Sequence, residues 1–481
     1  MTRYRDNTRL LSDNLLGLVV RLAAPMIIAF VFITSYHFVD RFFVSRLGDT
    51  AIAAIGMAFT VQMIIISVGS GLGQGINSYI ARNLGAERDE VARQVVLHTF
   101  LLAVGIGGVI GILGLLGQRF LFTLLGAEGE LLDMIVAYLT VLFIFTPVNL
   151  FNMFFSSVFQ GYGDTMTPMK FTLMGTGINL LLDPLLMFGF GGIPGLGWFG
   201  ALLNTIPDPF ALMGLGAIPA MGIRGAALAT VISQVISAMY ILARMFGRGH
   251  PTRISFRAFR YQPDIIRGVS QVGLPSSVSQ VLGSVSRGVV FWILIPFGDV
   301  GRAAYTIVFT YEMVVFLPSI GVSQAVSILT GHNYGAGNYE RVRKVHRLGI
   351  AVGLGMMALL AAVVLIDPMA SAGIFARSDA VREVTAVALQ YVLVGSVFLS
   401  IYLASVASFQ GLGLGRQYLL ATILRMFVLL IPLSYAGSRL LGIEGVWMGM
   451  LAVNVMSSII LFSWHQFVFR TRIATGSLKT F

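Results

Sequence analysis

The sequence predicts an all-α membrane protein: twelve transmembrane helices in two parallel six-helix lobes, related by a pseudo-two-fold axis along the membrane normal. Three observations carry this. Of the 481 residues, 56% are hydrophobic and only 11% charged, with a mean hydropathy of +0.85, whereas a soluble domain carries about 25% charged residues. The apolar runs are long and unbroken, as spanning helices require, and do not alternate as barrel strands do. The chain also matches itself when slid by 250 residues. No cysteine is present among the 481 residues, which excludes disulfides and thiolate metal sites. Glycine is abundant at 55, which suits close helix packing in lipid.

Read in order, the spans fall near residues 15–40, 51–80, 92–117, 131–160, 167–190, 222–246, 265–296, 302–330, 345–366, 384–412, 416–438 and 443–468. Several exceed the ~20 residues needed to cross, so tilt or kinks are expected. The first run, Leu15 to Val39, is long enough to span and lacks a small-residue cleavage site, so it reads as a helix and not a removable signal. With the N-terminus inside, the inner segments carry 21 Lys and Arg and the outer segments eight, leaving Arg21, Arg287 and Arg425 within spans. That bias places both termini in the cytoplasm of a multi-pass protein of the cell membrane. It also accounts for the net charge of +11 without nucleic acid.

The repeat orders the spans into halves. "RLGDTAIAA" at 46–54 faces "PFGDVGRAA" at 296–304, "NLGAERDEVAR" at 83–93 faces "NYGAGNYERVR" at 333–343, and "FQGYG" at 159–163 faces "FQGLG" at 409–413. Pro25 faces Pro275, Gly71 faces Gly321 and Gln74 faces Gln324. The offset then falls to 220, where "GIRG" at 222–225 faces "GIEG" at 442–445, so the first half carries about thirty extra residues within 191–221. Six spans per unit put both units the same way up, a transporter design that rocks about a central axis. The lobes are assigned as 1–250, with an outer-face insertion at 191–221, and 251–481.

Charge inside the spans is costly and marks function. Asp40 and Asp183 are the acids of the first lobe, and their repeat mates are Val290 and Leu433, so the scaffold is duplicated and the acids are not. Counted from the outer helix ends at 1.5 Å per residue, Asp40, Asp183 and Thr230 sit at similar depth. Tyr36 and Asp40, Asn179 and Asp183, and Thr230 and Gln234 are each spaced i, i+4 on one helical face. Two carboxylates in a low-dielectric pocket do not both stay charged and bare. One holds a proton, or a Na⁺ neutralises them with oxygen ligands from Asp40, Asn179, Asp183 and Thr230. The alternative is an inert hydrogen-bonded network. Tyr36, His37 and Gln234 are candidate lining residues of an adjacent substrate cavity. Pro25 and Pro184 remove backbone bonds in the first and fifth spans and permit bending. Arg287 and Glu312, at matching depth on consecutive spans, are expected to form a structural salt bridge.

With these residues on the page, the chain resembles the multidrug and toxic compound extrusion (MATE) transporters over nearly its whole length. The marks are "VDRFFVSRLGDTAIAAIG", the "NLGA"/"NYGA" pair and "FQGYGDTMTPM", in a six-plus-six duplication. The resemblance implies a secondary antiporter that exports amphipathic, often cationic small organic compounds in exchange for H⁺ or Na⁺ by alternating access. It implies no cofactor and no enzymatic activity. Partners are small-molecule substrates and membrane lipid, not nucleic acid, and the chain is expected to act as a monomer. Within the family it looks most like the DinF-like branch, whose acids lie in the amino-terminal lobe. On that likeness Asp40 corresponds to the first-helix acid, Asn179 and Asp183 of "NLLLDP" to the fifth-helix pair, Thr230 of "GAALATVIS" to the sixth-helix threonine, and Tyr36 to the neighbouring tyrosine. The 191–221 insertion and the lack of an acid in the seventh and tenth spans depart from other branches. A flippase for lipid-linked head groups, of a related superfamily, is the alternative, and the scarcity of Arg and Lys within the spans weakens it.

Overall fold

A computed structural model describes residues 9–189, 219–247 and 259–473; the side chains of residues 36–38 and of 472–473, and the insertion assigned to 191–221 apart from its last three residues, lie outside the described residues. Every regular element among the described residues is a helix. The first lobe holds α1 (Leu15–Ser45), α2 (Asp49–Gly85), α3 (Asp89–Leu124), α4 (Gly129–Ile144), α5 (Thr146–Gly161), α6 (Met166–Phe188) and α7 (Ile223–Phe246). The second holds α8 (Pro263–Ile293), α9 (Gly298–Gly335), α10 (Tyr339–Leu365), the short α11 (Pro368–Gly373), α12 (Asp379–Gly411), α13 (Gly415–Ile423) and α14 (Ile431–Val468).

Caps and breaks follow local chemistry. Asn14 opens α1, its side chain accepting from the Leu16 amide at 2.9 Å, which satisfies a donor the helix start leaves unpaired. Asp164 does the same before α6, accepting from the Thr167 amide at 3.0 Å and the Thr167 hydroxyl at 2.6 Å. The span expected at 131–160 is two helices, α4 and α5, bent by 54°. Pro147 stands at the start of α5 and lacks the amide that would continue α4. The span expected at 416–438 passes through a π-helical stretch, Leu424–Leu430, into α14, which runs on into the last expected span and is broken between the two at Gly442, with φ 65°.

Nine of the described helices are long and apolar enough to cross a membrane, the bent α4–α5 pair adds a tenth, and the continuous stretch from Gly415 to Thr471 contains two of the expected spans. The remaining span is α8, of 31 residues. It is richer in serine and glutamine because it packs in the seam between the lobes, against α2, and not mainly against lipid. Lipid-facing helices carry bare apolar side chains instead, such as Leu116 at 79% and Ile366 at 82% exposure, which cost nothing in hydrocarbon.

The duplication is visible in the backbone. Left-handed conformations recur at repeat-related positions: Gly48 and Gly298, Glu87 and Gly337, Gly163 and Gly413, Gly222 and Gly442. Contacts between lobes obey the same symmetry, with α2 lying on α8, α1 on α9, and α2 crossing α9. At that crossing, Gly85 abuts the His332 carbonyl and Gly335 abuts the Arg82 carbonyl, leaving no room for a Cβ on either. Each lobe has its own core, built in the first around Phe154, Phe155 and Phe159 and in the second around Trp447 and Leu389.

Candidate functional site

In the first lobe α1 lies against α6, and α6 against α7, so the three helices that carry the predicted acids, amide and hydroxyl meet. Asp183 is 1% exposed and Asp40 8%. Asn179 ties the cluster together, donating from Nδ2 to Asp183 Oδ1 at 3.3 Å and to Thr230 Oγ1 at 3.4 Å. Thr230 in turn donates to the Ala226 carbonyl at 3.1 Å. The Asp40 and Asp183 carboxylates lie near enough to act on one another electrostatically, and both act on Tyr138, whose hydroxyl accepts from Gln62 Nε2 at 3.0 Å.

Two acceptor oxygens in this cluster, Asp183 Oδ2 and Asn179 Oδ1, are buried with no hydrogen-bond partner. Leaving such atoms bare costs about 1–3 kcal/mol each. A proton on Asp183 or a hard cation between the oxygens would satisfy them. Carboxylate, carboxamide and hydroxyl oxygens are the donor set a Na⁺ takes. No group of three or more His, Cys, Asp or Glu side chains occurs among the described residues, so a transition-metal centre is not indicated there.

The cluster borders a cavity of roughly 460 Å³ inside the lobe, within the usual range for small-molecule sites. Asp40, Asn179 and Thr230 line it, while Asp183 sits behind Asn179 and does not. Gln234 lines it as expected, its backbone carbonyl accepting from Asn152 Nδ2 at 2.9 Å. Tyr36 and His37 are helical residues of α1 whose side chains lie outside the described ones. Eight carboxamides face the space: Gln62, Gln74, Asn149, Asn152, Gln160, Asn179, Gln234 and Gln324. The last comes from α9 of the other lobe, so the cavity reaches the seam. Asp40 and Arg41 are the charged residues of the lining, and Arg41 stacks over Phe59 at 5.4 Å. Phe30, Phe59, Tyr138 and Phe171 add aromatic faces. Apart from Asn179 and Gln234, the carboxamides escaped the sequence reading as a set; the available signal was the run of Asn and Gln in otherwise apolar spans.

Pro25 and Pro184 both lie inside helices that run on, α1 to Ser45 and α6 to Phe188. Neither helix is broken there, although each proline withholds one backbone bond. The expected Arg287–Glu312 salt bridge is not formed. Arg287 donates to Ser284 Oγ at 3.1 Å and lies over Phe309 at 5.7 Å, while Glu312 accepts from Ser396 at 3.3 Å. The cation that bears most on Glu312 is Arg425. The reason is local: Arg287 does reach α9, over Phe309, but its guanidinium turns to Ser284, while the Glu312 carboxylate turns to Ser396 of α12, the helix on which α9 chiefly packs.

A family model, MatE, matches the chain twice, over residues 25–185 and 275–436. The chain is 23% identical to the probable multidrug resistance protein YoeA of Bacillus subtilis, over 90% of this chain and 89% of that protein. It is 25% identical to the FAD transporter of Shewanella oneidensis, with 95% of each covered, and 23% identical to the multidrug export protein MepA of Staphylococcus aureus, over 92% and 91%. Among solved structures, an outward-facing conformation of a multidrug resistance MATE family transporter superposes with a TM-score of 0.85 at 29% identity over 98% of both chains. A MATE structure described as the bent conformation reaches 0.87 at 28% identity, over 98% of this chain and 99% of that one.

Proposed function

The chain belongs to the MATE family of membrane transporters, which are not enzymes, and on that premise we propose that it is a secondary antiporter exporting small organic molecules in exchange for H⁺ or Na⁺. The observation that carries this reading is the pair of unpartnered buried acceptor oxygens, on Asp183 and Asn179, beside the wall of a substrate-sized cavity. A coupling cation lands on Asp40, Asn179, Asp183 and Thr230 from the outer side. Its charge changes the energy of α1, α6 and α7, with Pro25 and Pro184 giving α1 and α6 freedom to bend. Cargo in the cavity is released as the lobe reshapes, so the gradient does the work that bound ATP does elsewhere. Both termini are cytoplasmic, and residues 1–250 and 251–481 rock against each other.

The lining narrows the cargo. Among the described lining residues, eight carboxamides, four aromatic rings, one acid and one base suit a planar, hydrogen-bonding compound of low net charge, including the multidrug substrates for which the Bacillus and Staphylococcus relatives are named. Flavin export is a second reading, favoured by the Shewanella relative and by amide groups able to read the edges of a fused heterocycle. Anionic lipid-linked head groups fit poorly, since Arg41 is the sole cation among the described lining residues.

The test is efflux from proteoliposomes with pH and Na⁺ gradients imposed separately, using a cationic dye and a flavin as cargo. Gradient-driven efflux is expected in the parent and background rates in Asp40→Asn and Asp183→Asn, with both variants still folded. Parental rates from both variants would end the assignment.

A further inference from the structure

Away from the acid cluster, a second set of polar residues joins the lobes where α2 crosses α9, near the basic segments that the charge bias places inside. Arg82 and His332 are repeat mates at the offset of 250, and both are buried. Each reaches across the seam to the same turn of the opposite lobe. His332 Nε2 stands 3.0 Å from the Gly161 carbonyl, which only accepts, so Nε2 carries the proton. The Arg82 guanidinium lies against Gly413, a glycine held at φ +82° where no Cβ would fit beside it, while its Nε donates to the Ser78 carbonyl at 3.2 Å. Ser78 crosses as well, donating from its hydroxyl to the Gln410 carbonyl. The targets, Gly161 in "FQGYG" and Gly413 in "FQGLG", are the repeated turns of the two lobes.

We infer that Arg82 and His332 are the gating residues of the inner side, two repeat-related latches that hold the lobes shut there and must release before the cavity opens inward. This rests on the transport reading above. The seam is built for reversible opening. Polar groups are buried at the crossing of α2 and α9, whereas α1 lies on α9 through an apolar cluster that includes Leu18, Val19 and Leu22 against Val322 and Val326, and several buried atoms around the crossing are unsatisfied: both amide atoms of Asn77, Ser327 Oγ, Thr330 Oγ1 and His332 Nδ1. Water entering on separation satisfies these atoms, which offsets the latch bonds that are lost. The glycine contacts at 85 and 335 allow the two backbones to part and meet again without repacking side chains.

The chain has no cysteine, so a single engineered thiol reports the seam cleanly. In a Thr330→Cys background, reconstituted with known orientation, a membrane-impermeant maleimide applied from the inner side is expected to label Arg82→Ala/His332→Ala at least tenfold faster than the parent. His332→Gln and Arg82→Lys, which keep a donor, are expected to label near the parental rate. Unchanged labelling in Ala variants that elute and melt like the parent overturns the latch. A second arm does not depend on those variants folding. Ala81→Cys/Gly331→Cys, whose β-carbons would face each other directly across the crossing of α2 and α9, oxidised across the seam, is expected to stop efflux until a reductant is added, and oxidised protein that transports at the reduced rate overturns the proposal. Labelling requires neither a gradient nor cargo, so failure here is separable from failure of the antiport reading, which the Asp40 and Asp183 variants report.

Discussion

Where the first lobe holds Asp40, Asn179, Asp183 and Thr230, the second lobe holds at the repeat-related positions Val290, Leu429, Leu433 and Met450. Val290 and Met450 belong to that lobe's apolar core. Its polar atoms gather instead on other mates. Glu312 takes the place of Gln62, Arg425 that of Gly175 and Asn454 that of Gln234. Arg425 donates to Asn454 Oδ1 at 2.8 Å and lies over Tyr402 at 5.3 Å. One bundle therefore surrounds an amide-lined cavity with unsatisfied acceptors, and its copy carries apolar residues and a partnered arginine at the corresponding positions. The helical scaffold demands neither arrangement, which is the physical ground for assigning the chemistry to the first lobe.

The comparison is broken most directly by making the first lobe like the second. Asp40→Val/Asp183→Leu is expected to reduce gradient-driven efflux at least about 100-fold. Its melting temperature in detergent is expected to hold or rise, because replacing buried charges with apolar groups is commonly neutral or stabilising by about 1–4 kcal/mol. Retained transport would show that the acids are dispensable; loss of folding would show that they are architectural. The opposite pattern is expected in the second lobe. Arg425→Met removes the cation that acts most on Glu312 and is expected to cost about 3 kcal/mol of stability, while efflux by the folded fraction stays within about threefold.

Smaller effects sharpen the symmetry of the seam. Gly71→Ala presses a methyl into the main chain at Ser277, whereas Gly321→Ala meets first the Ile27 side chain and only then, less closely, the Ala23 carbonyl. Both are expected to destabilise within the ~1–3 kcal/mol usual for overpacking, and thermal melts are expected to rank Gly71→Ala as the worse. The smallest change is Glu87→Gly. Glu87 is the one non-glycine residue at positive φ among those described, at 58°, and its mate is Gly337 at 72°. Copying the mate is expected to gain about 1 kcal/mol by removing left-handed strain, read as a modest rise in melting temperature.

Much of this was legible in the chain. The spans were visible because lipid forces long apolar runs, and the lobes because the offset of 250 persists through "NLGA"/"NYGA" and "FQGYG"/"FQGLG". The Asn179–Asp183 contact followed from i, i+4 spacing. Helix pairing was not legible. Depth counting placed Arg287 level with Glu312 but could not show that Glu312 turns to Ser396 of α12 and Arg287 to Ser284, because depth does not set which way a side chain points. The bend before Pro147 had a local signal that twenty-odd apolar residues outweighed. The π-helical stretch at Leu424–Leu430 has no such local signal. Gln324 marks the same limit: it was recognised as the mate of Gln74, yet its place in the other lobe's cavity depends on how two distant segments cross.

The closest approaches between lobes, at Gly85 and Gly335, are main chain against main chain. Their geometry is indifferent to which side chains the cavity carries. Changes among the carboxamides can therefore widen or shift the range of exported compounds without disturbing the surface on which the lobes close, and one closure can serve many chemical tastes.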